Sequence, residues 1–369
     1  MAGGVVSAPM PSVRTVFAAL EREGRVAANW PERVTTALAA EADAPPWYVR
    51  VLVGFGAWLA SLLLIAFVVS SSLRSESTMI GVGGVMMVAA LGVRFTSSHD
   101  FIAQATLAVS LAGQALLAFG LHQYGVNMML WAIIGGQTVL ALAFPDRIHR
   151  FLSVLAAVSA AVILMYYLKL QAGIHVLVLA LAVGFLWWQA REGAFIARGL
   201  MQSARPLAFG LLAAMLGCVL LSTVYVLPEL MWRRDFSFYP RPWLSSLGFG
   251  VLLVLLEWRL VNTTLRDVSV ATRAGFIGAS VLIVAISWPA PGIAASLVVL
   301  LAGVIHAERL VVGIGVGFFA VFLVAYFYGM EASLLAKSAT LTATGLAVLA
   351  LRYYLMPRLA GGRVEGKDA

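Results

Sequence analysis

Three polar side chains stand where apolar ones are expected. Gln114 and Gln137 lie deep in two successive apolar segments, and Glu257 sits near the end of another, beside Trp258 and Arg259. Amide and carboxyl groups surrounded by hydrocarbon are costly unless they find partners, so each is a candidate for chemistry or for bonding between helices. Two readings stand for the glutamines: an interhelical amide hydrogen bond, worth on the order of 0.6 kcal/mol, or two polar steps along a solute path. Glu257 either pairs locally with arginine or meets water, or it is a proton or cation site.

A second set of polar and aromatic residues falls near one end of several segments: His122, Tyr124, Tyr166, Tyr167, Lys169, His175, Tyr328, Glu331 and Lys337, with Ser338 just beyond. The stretch MWRRDFSFYPRPW, residues 231–243, adds Arg233, Arg234 and Asp235. An aromatic belt with snorkelling cations accounts for most of this set. A docking surface or shallow cleft accounts for the rest, with Arg233, Arg234, Tyr328, Glu331, Lys337 and Ser338 as the contacts to a partner or solute.

Familiar catalytic patterns are missing. His99, His122, His149, His175 and His306 are far apart, with no HExxH and no pair of histidines four residues apart. There is no G-x-S-x-G, no P-loop and no dinucleotide fingerprint. The single cysteine, Cys218, lies in an apolar run and reads as a small packing residue. No residue is assigned to catalysis, to a cofactor or to a metal, and an enzyme is the less favoured class.

The elements that must position these residues follow from composition. The chain of 369 residues is 62% hydrophobic and only 11% charged, whereas a globular domain is about one quarter charged. Lipid must be its solvent. A net charge of +8 might suggest nucleic acid, but the basic residues are scattered singly and form no phosphate-binding face. The expected fold is all-α, a polytopic transmembrane bundle of about twelve spans: 51–70, 79–93, 101–121, 126–144, 151–168, 173–190, 206–228, 242–261, 274–288, 292–306, 311–329 and 338–356. The second, ninth and tenth are short, so they either thin the bilayer locally or lie between neighbours. Brief connections make successive spans expected antiparallel neighbours.

Three regions are expected: a helical leader over 1–47, the membrane domain over 48–356 and a tail over 357–369. In the leader, Ser12 can cap one short helix, and Asn29 with Glu32 resembles a capping box for another. Of the 25 Lys and Arg, nineteen fall in the leader, the even-numbered connections and the tail, which puts both termini in the cytosol. Gly313 and Gly317 suggest a close-packed face on the eleventh span, and Gly81, Gly83, Gly84, Gly135 and Gly136 suggest others. Tyr124-Gly125 and Tyr328-Gly329 match as a pair but do not divide the chain into equal halves.

The leader FAALEREGRV, the stretch PWYVRVLVGFGAWLA at the first span, WPAPG and the block YFYGMEASLLAKSATLTATG together resemble a bacterial inner-membrane family of unknown function, DUF4401. The resemblance covers nearly the whole chain. It implies an inner-membrane location and membrane lipid around the helices, with a GDYXXLXY-type envelope protein as a candidate partner, and it carries over no catalytic residue. The leading expectation is a binding or scaffolding partner of an envelope protein; the rival is a transporter or channel for a small or lipid-like solute, with Gln114, Gln137 and Glu257 on its path.

Overall fold

A computed structural model of the chain describes residues 75–96, 100–226, 239–263 and 270–329, with scattered helical positions on either side. Contacts divide the chain into two compact units, Met1–Leu64 and Ile65–Ala369. In the first, Glu21, Arg22, Pro31 and Glu32 are helical and exposed, and the rest of the leader lies outside the described residues. The second unit holds everything that follows.

Among the described residues there are helices and no strand. In chain order they are α1 (Glu76–Thr96), α2 (Asp100–Leu121), a short 3-10 turn (His122–Tyr124), α3 (Val126–Ala143), α4 (Arg147–Tyr167), α5 (Gly173–Ala190), the short α6 (Glu192–Ala197), α7 (Met201–Leu220), a second 3-10 stretch (Leu221–Val226), α8 (Trp243–Thr263), α9 (Val270–Ile286), α10 (Pro291–Ile305) and α11 (Arg309–Gly329). Eight are long and apolar enough to cross a membrane: α1 to α5, α7, α8 and α11. Large apolar side chains such as Val88, Trp131, Val176 and Val324 point outward, as they do when the surroundings are hydrocarbon rather than water. Only scattered positions of the expected first and twelfth spans are described, all helical and exposed, among them Leu52, Phe55, Leu59 and Phe67 in the first and Ser338 in the twelfth.

Three hairpins dominate the packing: α1 with α2, α3 with α4, and α10 with α11. Elsewhere chain order is not spatial order. Helix α7 packs between α4 and α5, and α10 packs on α8 and α7. The expectation that every successive pair would be neighbours therefore fails at α7–α8 and holds only marginally at α2–α3, α4–α5 and α9–α10, because matching faces, not loop length, decide which helices meet.

Glycine makes two of the hairpins close. A side chain at Gly83 would meet the Gly113 carbonyl at 2.6 Å, and one at Gly113 would meet the Gly83 carbonyl at 2.7 Å. In the α10–α11 hairpin the contact glycines are Gly303 against Val312 and Gly315 against Leu300, both at 2.7 Å. Gly313 and Gly317, expected there, have no described atom within 4 Å; a residue two steps along a helix faces away from its neighbour.

Helix α10 explains its own shortness. Fifteen residues rise about 22 Å, less than the roughly 30 Å of hydrocarbon. Ten of the fifteen are buried, among them Ile293, Ala295, Val298 and Ala302, against α7, α8 and α11. A helix covered by protein need not match the lipid thickness. Helix α1 turns out longer than expected, with 21 residues carrying Glu76 in its first turn and Arg94 in its last, charges that suit the helix dipole.

Candidate functional site: a buried histidine cluster

Helix α4 begins earlier than its apolar pattern suggests. Asp146, in extended conformation, caps it by accepting from the His149 backbone N–H at 2.9 Å. His149 therefore lies in the first turn of the helix and not in the connection before it. Its side chain is 1% exposed and stacks on Phe144 with ring centroids 3.9 Å apart.

Two side chains of α2 meet this ring. Ser110, fully buried, places its Oγ 2.9 Å from His149 Nε2. The Gln114 amide nitrogen lies 3.1 Å from the same Nε2 and donates to Ser110 Oγ at 3.1 Å. An amide nitrogen can only donate, so Nε2 is the accepting nitrogen and the ring proton sits on Nδ1. Nδ1 then donates to Ser153 Oγ, 3.1 Å away and one turn along α4. On the other side, Gln137 of α3 donates its amide to Gln114 Oε1 at 2.7 Å. The interhelical glutamine bond expected from the sequence is present, but it is one arm of a larger cluster that joins α2, α3 and α4.

The cluster has a charged end. Arg94 of α1 approaches Asp146 at 4.0 Å. Both side chains keep some exposure, 19% and 16%, whereas Ser110 and His149 have almost none. Gln137 Oε1 is buried without a hydrogen-bond partner among the described residues. Nearby, Arg150 donates to the Phe144 carbonyl at 2.6 Å and to the Ser203 carbonyl at 3.3 Å, which ties the start of α4 to α7.

Ser110 and His149 stand at the distance of a nucleophile and its base, yet the orienting group on Nδ1 is a hydroxyl, and the carboxylate of Asp146 is spent on the backbone. Sealed burial and a hydroxyl orienter do not suit acyl transfer, which needs an open nucleophile and a base held by a third, oriented group. The arrangement suits proton exchange, because each ring nitrogen faces a hydroxyl that can reverse its role, provided the Gln114 amide turns over with them, which the partnerless Gln137 Oε1 can meet as an acceptor.

A second histidine is held differently. His175 of α5 is buried, with Nε2 2.6 Å from the Pro240 carbonyl and Nδ1 2.7 Å from Ser245 Oγ. A carbonyl only accepts, so Nε2 carries the proton. Ser245 then donates to Nδ1 and accepts from the Tyr239 hydroxyl at 2.7 Å. Burial pushes the Tyr239 phenol up from its ordinary range, against the opposing effect of the Ser245 bond.

The other expected residues separate. Glu257 is buried on α8, where the Ser280 hydroxyl of α9 donates to Oε1, while Oε2 has no hydrogen-bond partner among the described residues. The structure thus gives it a serine from the next helix, a partner outside the readings made from the sequence. Tyr328 is 67% exposed at the end of α11. Ser338 is helical and exposed, its carbonyl accepting from Thr342 at 2.9 Å. Arg233, Arg234, Glu331 and Lys337 lie outside the described residues. His122 is exposed while His175 turns inward, so the expected polar rim loses one of its members. Glu308, just before α11, pairs with Arg205 at 2.8 Å. Cys218 is buried in the core. Among the described residues no three His, Cys, Asp or Glu gather as metal ligands.

Sequence reading missed Ser110, His149 and Ser153. The signal was there as spacing: Ser110–Gln114 and His149–Ser153 are each four apart, which puts each pair on one helix face. A family model for a domain of unknown function, DUF4401, matches residues 46–358 of the chain. No curated protein and no solved structure matches it.

Proposed function

The chain belongs to the DUF4401 family, and within it we propose a multi-pass membrane protein that relays protons through the His149 cluster. The observation that carries this reading is a sealed imidazole with a hydroxyl on each ring nitrogen. A proton passed from Ser110 to Nε2 is matched by the Nδ1 proton leaving to Ser153; water admitted on either side returns a proton to Ser110 and takes the one displaced from Ser153, and the ring regains its first tautomer by turning over once the hydroxyls and the Gln114 amide have reversed. Intramembrane histidines in such chains recur in proton pathways. Asp146 and Arg94, the partly exposed members, form the end at which water delivers the proton. This is the transporter alternative, with Gln114 and Gln137 as its polar wall; Glu257 belongs to a separate pair with Ser280. The location that accompanies it is a bacterial inner membrane, crossed about twelve times with both termini in the cytosol.

Purified protein in liposomes, with a pH-sensitive dye inside and a potassium–valinomycin potential across the membrane, tests it. Dye acidification above that of protein-free vesicles, abolished by His149→Ala, is the expected result. Equal rates for native protein, variant and empty vesicles overturn the proposal.

The docking role keeps one supporting observation, the exposed Tyr328. In that reading a GDYXXLXY-type envelope protein binds Arg233, Arg234, Tyr328, Glu331, Lys337 and Ser338. Cross-linking in cells from residues 231–243 captures such a partner, and reversing the charge of Arg233 and Arg234 abolishes the capture. Unchanged cross-links after the reversal remove this role.

A further inference from the structure

Helices α8 and α9 touch at Gly250 and Val284, where a side chain on the glycine would stand 3.0 Å from the valine. Beside that contact lies a cleft of about 450 Å³. On α8 the lining residues are Trp243, Ser246, Leu247, Gly250, Val251, Val254 and Leu255, spaced three or four apart along one face. Val281, Val284 and Ala285 of α9, with Trp288 in the turn after it, complete it. No charged side chain lines the cleft.

We infer that this cleft holds one acyl chain of a bilayer phospholipid, with the polar end of that chain beside Ser246. Four observations converge on this occupant. From Trp243 to Leu255 the lining advances twelve residues, about 18 Å along a helix, which is on the order of one leaflet of the roughly 30 Å hydrocarbon layer. Trp243 and Trp288 stack at one end with centroids 5.7 Å apart, and tryptophan pairs of this kind belong at the level of lipid headgroups. Below them the wall is apolar except for Ser246, which is 2% exposed and whose Oγ has no hydrogen-bond partner among the described residues. An ester carbonyl or hydroxyl at that height gives the serine its partner, while the chain below meets only hydrocarbon.

The volume selects against a protein occupant. A helix with its side chains is about 10 Å across, so about 18 Å of it fills roughly 1,400 Å³, well above the 450 Å³ of this cleft. Each methylene that leaves other lipid for this wall gains packing contacts rather than hydrophobic energy, so the site selects by shape and by the one hydroxyl.

Photo-crosslinking tests the inference. The full chain is reconstituted in phosphatidylethanolamine–phosphatidylglycerol vesicles doped with a phospholipid carrying a diazirine midway along one acyl chain, irradiated, digested and mapped by mass spectrometry. Labelling at Val251, Val254 and Val281 is expected to exceed that at Val324, which is more exposed than any of them, by about fivefold, the ratio produced by about 1 kcal/mol of preference. Val281→Trp fills the cleft from its rim and returns the labelling of Val251 and Val254 to the Val324 level; Ser246→Ala lowers it two- to threefold. The comparison within the native protein stands even where a variant fails to fold. Cleft labelling equal to that of Val324 means annular lipid only and overturns the inference. Labelling below it, with protein–protein cross-links from the same residues, means that a helix of another chain covers the cleft, and this overturns it too.

Discussion

His149 and His175 are both buried in apolar helices and both bonded at each ring nitrogen, yet they are held in opposite ways. The partners of His175 include a backbone carbonyl, which cannot donate, so the direction of every bond from Tyr239 through Ser245 to Pro240 is determined. His149 has a hydroxyl on each ring nitrogen, and its Nε2 also takes the Gln114 amide; each of these groups is a side chain that can turn round, the Gln114 amide together with that of Gln137. One ring is locked as a single tautomer and joins α5 to the segment before α8. The other can exchange its proton from face to face without moving a helix. Two histidines of equal burial thus divide into a fastener and a relay, and the partner atoms decide which is which.

The largest effect that separates them is in proton movement. His149→Ala removes the exchanging ring and is expected to lower proton flux in liposomes at least tenfold, equivalent to about 1.4 kcal/mol in the barrier. His175→Ala, measured on the same amount of folded protein, leaves flux unchanged. A loss of flux in both variants would erase the distinction between the two sites.

Stability reverses the order. His175→Ala strips Ser245 of its acceptor and leaves the Pro240 carbonyl without its donor, besides opening a cavity, at a cost of about 3 kcal/mol. His149→Ala also opens a cavity and strips Ser110 and Ser153 of their ring partner, but both serines lie inside helices where the hydroxyl can turn to a carbonyl one turn back, and the Gln114–Ser110 and Gln114–Gln137 bonds stay in place, so its cost is smaller, about 2 kcal/mol. Thermal unfolding in detergent, followed by exposure of buried Cys218 to a thiol dye, ranks the two. A smaller loss at His175 than at His149 breaks the fastener reading.

How far these sites could be read from the sequence varies with the kind of information each needs. Apolar runs disclosed the long helices, because a segment that crosses lipid must satisfy its backbone internally and its composition shows it. The Gln114–Gln137 bond was legible too, since two amides in adjacent apolar segments have few other partners. His149 was hidden behind Pro145 and Asp146, which look like a loop until the aspartate is recognised as the cap that starts α4 inside the apparent connection. The burial of α10, the swap from Gly313 and Gly317 to Gly303 and Gly315, and the passage of α7 between α4 and α5 depend on which helix faces meet. Nothing in the order of the segments records that.

Tyr239 offers a finer probe of the fastener. Tyr239→Phe deletes one bond to Ser245 while Ser245 still donates to His175, so the cost near neutral pH is about 1 kcal/mol. Its pH dependence carries a sign. Burial raises the phenol above its ordinary range, so the folded chain keeps this proton at a pH where the unfolded chain has lost it. The stabilisation from Tyr239 is complete below about pH 10, the usual tyrosine value, and falls as pH rises past it. Unfolding of native and Tyr239→Phe protein at pH 8 and pH 11 gives a difference that shrinks at the higher pH. A difference that grows instead would mean that the phenol is ionised in the fold.

The smallest effect belongs to the edge of the relay. Gln137 gives one hydrogen bond to Gln114 and carries a buried oxygen without a partner among the described residues. Gln137→Leu loses the bond, worth about 0.6 kcal/mol between membrane helices, but it also removes the orphaned oxygen, whose burial was unfavourable. The two nearly cancel, so unfolding is expected to shift by less than about 1 kcal/mol. Flux should then fall by about threefold at most, because Gln114 keeps its contacts with Ser110 and His149. If the leucine variant loses flux as completely as His149→Ala, the proton path runs through the amides, and the pair of hydroxyls on the ring is not its centre.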